Sequence, residues 1–219
     1  MSPRSPCWRW AHSRSRSRLA REHDVDVLSL QELTPQAVRQ LDAAGARRLL
    51  PGRVLHPQGH AAGTGLMARR PLRAVVIPRP GAPQQLQAVL ALPGEEELGF
   101  VSVHPFPPVS AQRVSDWQDV LRALPAPAEA GRRNVLAGDF NATLDHRDLR
   151  RVLARGYTDA ADATGDGLRP TFPTMRTLPP ITIDHVLVPD TIRVRRITAH
   201  AVAGSDHRAL IAELVLPGR

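Results

Sequence analysis

Lysine is missing from this 219-residue sequence: all 29 basic side chains are arginine, set against 21 acidic ones for a formal net charge of +8. Arginine pairs bidentately with phosphate and attracts polyanions from a distance. Ala, Pro and Gly are abundant too, so the arginine excess reads as GC-rich codon bias as much as a basic face, and supports a phosphate-bearing ligand only weakly. No basic stretch is interleaved with aromatics, which excludes an evident platform for stacking bases. Cys7 is the single cysteine, so an intramolecular disulfide is excluded. No run of about 18 apolar residues exists that could cross a bilayer. The N-terminal "MSPRSPCWRWAHSRSRSRLAR" is basic but lacks the apolar h-region of a signal peptide, and the chain reads as soluble as written.

What is present suits one domain with a single core, which at this length buries roughly 70% of the unfolded surface. "VDVLSL" at 25–30 is apolar and rich in β-formers, runs into Gln31 and Glu32, and meets Thr34 and Pro35, an N-cap and a first helical position. A helix is predicted there, with Val38 and Leu41 inward and Gly45 as its stop. Further strands are predicted at 74–77, 87–92, 99–104, 134–140, 183–188 and 209–216. Val114, Trp117, Leu121 and Leu124 keep helical spacing behind a Ser110 cap, and Leu149, Val152 and Leu153 mark a shorter helix ending near Gly156. Strands outnumber helices and often succeed one another directly, which favours mixed sheets packed face to face over a doubly wound parallel sheet. Proline-rich patches at 78–83, 105–108 and 125–127 read as loops within one domain.

Polar residues gather at the C-terminal tips of these strands: Glu32, His104, Asp139 with Asn141, and Asp206 with His207 just before the last strand. Side chains at strand tips share a cleft on a rigid scaffold, so the pattern predicts one composite site. Each residue has a plainer reading. Glu32 could favour a helix dipole, "GDFN" could be a turn bonding its own backbone, and His104 could be a half-buried strand-end histidine. Asp184 is harder to set aside, because a carboxylate within the apolar run "IDHVLV" must find a partner. The acidic loop "DATGDG" at 162–167 has Pro173 where a calcium loop needs a bidentate Glu, which excludes that motif.

Seven segments, "DVLSLQEL", "GTGLMARRPL", "VSVHPFPP", "LAGDFNAT", "TFPT", "IDHVLV" and "GSDHRAL", stand in an order and spacing that resembles the endonuclease/exonuclease/phosphatase superfamily, from about Leu19 to Leu216. The resemblance implies an α/β fold, a four-layer sandwich of two packed mixed β-sheets flanked by helices. It also implies hydrolysis of phosphodiester or phosphomonoester bonds with a divalent cation, Mg2+ or alternatively Mn2+. By the same resemblance Glu32 and Asp206 are the metal carboxylates, Asp139 and Asn141 orient the attacking water and the phosphate, His207 touches the phosphate with Asp184 behind it, and His104 is a second histidine at the phosphate. Its substrates would be phosphate esters, with DNA, RNA and lipid head groups all within the family's range, and no obligate protein partner is implied.

The chain departs from the family at its start. Relatives open with a strand ending in an Asn near the metal, whereas "SPCWRWAHSRSRSR" contains no Asn and shows neither a strand's alternation nor a helix's stripe. Residues 1–18 are therefore expected to be an aberrant or disordered segment with the first strand missing, and 19–219 to be the domain. Because many bacterial relatives carry membrane helices ahead of the domain, a lost N-terminus would also be the place for an anchor. A non-catalytic binding or scaffold protein that kept the fold without the first-strand Asn is the alternative function.

Overall fold

The computed structural model describes residues 13–76, 84–92, 97–174 and 179–217. In chain order its elements are α1 (Ser13–Glu22), β1 (Val27–Gln31), α2 (Pro35–Ala43), the single turn α3 (Ala46–Leu49), β2 (Gly52–His56), β3 (Thr64–Ala68), β4 (Leu72–Val76), β5 (Gln84–Ala91), β6 (Glu97–His104), α4 (Ala111–Arg122), β7 (Ala128–Glu129), β8 (Arg132–Asp139), α5 (Arg147–Leu153), β9 (Tyr157–Asp159), β10 (Asp184–Pro189), β11 (Arg193–Ala201) and β12 (Arg208–Val215).

The large sheet runs β4-β5-β6-β8-β10-β9, with β7 attached to β8. Among the described residues only β6 and β8 pair in parallel; β5 with β6 and β8 with β10 are antiparallel, as a mixed sheet requires. Alternation along each strand sorts its side chains to two faces. Val101 and Val103 of β6, Leu136 of β8 and Leu187 of β10 join Trp117 and Leu121 of α4 and Leu149 and Val152 of α5 in the outer core. Leu86 and Ala88 of β5, with Phe100 of β6, turn the other way and meet Val27, Val54 and Leu66 of the small sheet β1-β3-β2. The far side of that small sheet carries α2 and α3 through Leu30, Leu33, Leu41, Leu50 and Met67. Helix, sheet, sheet, helix is the expected four-layer order. The hairpin β11-β12 forms a third, separate sheet whose Val194 and Leu214 lie over Leu98, Val135 and Val188 beside the small sheet.

Both anticipated caps form: Thr34 Oγ1 accepts from the Ala37 amide at 3.0 Å and Ser110 Oγ from the Arg113 amide at 3.3 Å. Trp117 Nε1 donates to the Phe140 carbonyl at 2.9 Å, tying α4 to the strand end that carries Asp139. One boundary differs from the sequence reading: Ser13–Arg18 are already helical, and Ser17, Leu19 and Ala20 are buried. Alternating Ser and Arg hides the stripe there, because a serine, Ser17, takes a buried position before Leu19 and Ala20. The remainder of the supposed aberrant stretch, residues 1–12, lies outside the described residues.

Candidate active site

Glu32, His104, Asp139, Asp184, Asp206 and His207 all line one cavity of about 780 Å³ between the large sheet, β1 and β12. Their convergence follows from register. Asp139, the last residue of β8, is paired with Asp184, the first of β10, so two carboxylates sit side by side at one sheet end. Glu32 leaves β1 in a left-handed conformation, φ +53°. The loop before β12 is pinned by the segment after β9: Thr174 donates its amide to the Asp206 carbonyl at 2.8 Å and its hydroxyl to the Ser205 carbonyl at 3.0 Å, and the Arg208 amide bonds Thr171 O at 2.9 Å. Ser205 Oγ accepts from the His207 amide at 3.2 Å, closing the turn.

His207 Nδ1 is 2.8 Å from Asp184 Oδ2, and its ring lies against Phe172 with centroids 4.6 Å apart. Burial alone would lower the His207 pKa, but the hydrogen bond and charge of Asp184, with Asp139 and Asp206 beyond, raise it to about 9. The ring is thus an imidazolium at neutral pH, and its Nε2 makes no hydrogen bond among the described residues. His104 behaves oppositely. It is buried, its Nδ1 has no hydrogen-bond partner among the described residues, and burial together with the charge of His207 drops its pKa to about 4, so it stays neutral. Its Nε2 stands 4.0 Å from Asp139 Oδ2, too far for a hydrogen bond.

Asp139 is raised to about 7, first by burial and then by Asp184, while His207 and the Asn141 amide, which donates to Asp139 Oδ1 at 2.7 Å, pull it back. Glu32 is open to solvent as a residue, yet burial of its carboxylate, followed by the charge of Asp206, raises its pKa. Asn141 differs from the other anticipated residues. It sits at φ +48°, its side-chain Nδ2 donates to the Pro105 carbonyl at 3.0 Å, and it is absent from the cavity wall.

Three features escaped the sequence reading. Arg16 of α1 lines the cavity beside Glu32, within a Ser/Arg run that offered no signal. Beneath the site, Ser102 Oγ receives bonds from Ser29 Oγ, Gln31 Nε2 and Thr64 Oγ1 at 3.0, 3.0 and 2.8 Å, a polar clasp joining the two sheets. His185 is clamped between Asp159 Oδ2 and the Ala142 carbonyl, 2.8 Å each, and so braces the turn that follows Asp139. A small polar residue at an inward strand position, or a His within an apolar strand, is the signal that would have flagged the last two.

A family model described as "Endonuclease/Exonuclease/phosphatase family" matches residues 17–207. No curated protein matches the sequence. Among solved structures, an endonuclease/exonuclease/phosphatase from Beutenbergia cavernae superposes with a TM-score of 0.67 at 20% identity, over 94% of this chain and 66% of that one. This chain therefore spans about two thirds of that protein's length. D. rerio TDP2 complexed with a single-strand DNA product gives 0.66 at 20% identity, over 93% of this chain and 92% of that chain. A mannosyl-6-phosphatase of Bacteroides thetaiotaomicron gives 0.64 at 17% identity, over 94% and 91%. At such identities the likeness shows the fold.

Proposed function

Because the chain belongs to the endonuclease/exonuclease/phosphatase family, we propose that it hydrolyses phosphate esters with the help of a divalent cation, Mg2+ or Mn2+. The observation that carries this reading is the His207–Asp184 pair, 2.8 Å long, opening onto the same cavity as Glu32, Asp139 and Asp206. A fixed imidazolium supplies positive charge where a phosphate's oxygens gain negative charge in the transition state.

Among the described residues no group of three or more His, Cys, Asp or Glu side chains is arranged to hold a metal ion. Mg2+ needs less, typically one or two carboxylates completed by waters and substrate phosphate. Glu32 and Asp206 meet that need, and the upward pKa of Glu32, caused first by burial and then by the charge of Asp206, marks a carboxylate whose ionised form a cation would favour. When bound, the ion would supply Lewis acidity to the phosphate and to the leaving oxygen.

The chain's own residues do the rest. Asp139, poised near neutrality, accepts the proton of a water that attacks phosphorus in line as the bond to the leaving oxygen breaks. Asn141 holds Asp139 through its backbone amide, while its side-chain Nδ2 is turned to the Pro105 carbonyl outside the cavity wall. His207 stabilises the non-bridging oxygens, and neutral His104 offers a hydrogen bond without adding charge. DNA and sugar-phosphate hydrolysis both fit, since one structural neighbour, D. rerio TDP2, is complexed with a single-strand DNA product and another is a mannosyl-6-phosphatase.

The test is turnover of bis(p-nitrophenyl) phosphate, plasmid DNA, a sugar phosphate and a phospholipid, with Mg2+ or chelator, in wild type, His207→Ala and Asp139→Ala. Hydrolysis lost with chelator and with either substitution is the expected result. Activity indifferent to both substitutions would remove the site assignment, and inactivity on every substrate would favour the scaffold alternative.

A further inference from the structure

Arg16, Leu19, Ala20 and His23 all line the cavity, and their helical spacing puts them on one face of α1. The helix is fixed in place. Ser17, Leu19 and Ala20 are buried, the Val25 amide donates to the Ala20 carbonyl at 2.9 Å, and the rings of His23 and His200 meet with centroids 4.6 Å apart, which ties the helix end to β11. α1 thus brings an arginine into a site whose Glu32, His104, Asp139, Asp184, Asp206 and His207 come from other segments.

Where Arg16 stands among those groups follows from the charges that meet. Those acting on Glu32 are Asp206, His207 and Arg16, whereas those acting on Asp139 are Asp184, His207 and Glu32. Arg16 is therefore on the Glu32 side of the cavity, and Asp139 on the side of Asp184, with which it is paired across β8 and β10. An in-line displacement puts the attacking water and the leaving oxygen on opposite sides of phosphorus. With the water at Asp139, the leaving oxygen points toward Glu32 and Arg16.

Among the described residues the guanidinium makes neither a hydrogen bond nor an ion pair, and burial, working against its charge, outweighs the support of Glu32. An arginine with a purely structural task is held by a carboxylate or by carbonyl oxygens, because a buried charge without a partner is costly. Five donors in a planar fork that faces a cavity instead fit two oxygens of one phosphate. We propose that Arg16 is a catalytic residue of the phosphate-ester site, gripping one non-bridging oxygen and the leaving oxygen of the scissile phosphate; this role rests on the functional reading above. As the bond from phosphorus to the leaving oxygen breaks, its electron pair stays on that oxygen, and the fork meets the growing charge with a hydrogen bond. Arginine does not give up its proton, so the leaving oxygen is protonated by water.

The test joins a leaving-group series to a binding measurement that needs no turnover. Methyl aryl phosphates, from p-nitrophenyl to phenyl, are hydrolysed with Mg2+ by wild type, Arg16→Gln and Arg16→Lys. In Arg16→Gln, kcat/KM should fall about tenfold for p-nitrophenyl, whose leaving oxygen is stable unaided, and about 10²- to 10³-fold for phenyl, with Arg16→Lys between. The plot of log kcat/KM against the pKa of the phenol then steepens. An equal loss across the series, or none, would overturn the proposal, since a structural role costs every substrate alike. Calorimetric titration with inorganic phosphate, in chelator and again in Mg2+, should show affinity about tenfold or more weaker in Arg16→Gln, as for a lost charge-assisted bond. Equal affinity in the two proteins, or no phosphate binding by wild type in either medium, would overturn it too. Phosphate binding that depends on Arg16 in a wild type that hydrolyses no ester would strike the functional reading and keep the phosphate contact. Where circular dichroism shows Arg16→Gln unfolded, Arg16→Lys carries both comparisons, with the charge kept and the fork lost.

Discussion

At the scale of single residues, the site depends on which groups hold charge. His207 is kept cationic by Asp184, so Asp184→Asn should cut kcat by about 10²- to 10³-fold, the span of a lost electrostatic contact to the transition state, with circular dichroism unchanged. The second buried histidine pair has a structural role. His185, 2% exposed, lies between Asp159 and the Ala142 carbonyl. Burial works against its charge, but the Asp159 hydrogen bond and charge outweigh that and raise its pKa above the ordinary 6.5. A histidine raised in the folded state binds its proton more tightly there than when unfolded. Its stabilisation is therefore complete below about pH 6.5 and fades as pH climbs through the raised value. His185→Gln should remove that alkaline decline from the melting temperature measured against pH. His185→Ala, which strands Asp159, should cost about 3–5 kcal/mol in urea unfolding.

At the scale of elements, close approach between strands is the sensitive feature. A Cβ on Gly138 of β8 would lie 2.1 Å from the Val103 carbonyl and 2.8 Å from Gln31 Nε2, so Gly138→Ala must push β6, β1 or both aside. We expect a loss of about 1–3 kcal/mol, as for overpacked cores, read by urea unfolding, together with weakened catalysis because Asp139 is the next residue. The same geometry explains what was legible in the sequence. β1, β6, β8, β10 and β12 announce themselves through apolar β-rich runs, and with them came five strand-tip positions that line the cavity. β3 did not, because Thr64–Ala68 is buried on both faces and shows no alternation. β11, "RVRRITAHA", is largely polar on its open side, and α1 reads as a Ser/Arg repeat. The orphan carboxylate in an apolar strand signals that Asp184 needs a partner, and the family resemblance names His207 as that partner. The turned amide of Asn141 depends on a side-chain rotamer that no local pattern encodes, and although Ser102 at an inward strand position signals a polar contact, its partners Ser29 and Gln31 are set by sheet stacking.

For the whole molecule, the site couples to folding through the gap between two sheets. Glu32 leaves the small sheet and Asp206 enters the separate hairpin, so their repulsion acts across an opening that no strand bridges among the described residues. The upward pKa of Glu32, caused by burial and then by Asp206, means that its ionised form is less at ease folded than unfolded. Stability from this group is present below its ordinary range and is lost as pH rises through the folded value. Removing the charge at neutral pH should therefore help the protein when no metal is present: Glu32→Gln with chelator should melt above wild type. Mg2+ reverses the order. A cation that binds the folded state alone stabilises it by about 2.7 kcal/mol at a hundredfold excess over its Kd, and Glu32→Gln forfeits a ligand. Thermal melts of the two proteins, with chelator and across a magnesium titration, should cross. Parallel curves that never cross would mean that the two carboxylates are held apart for structural reasons and that the cation binds elsewhere.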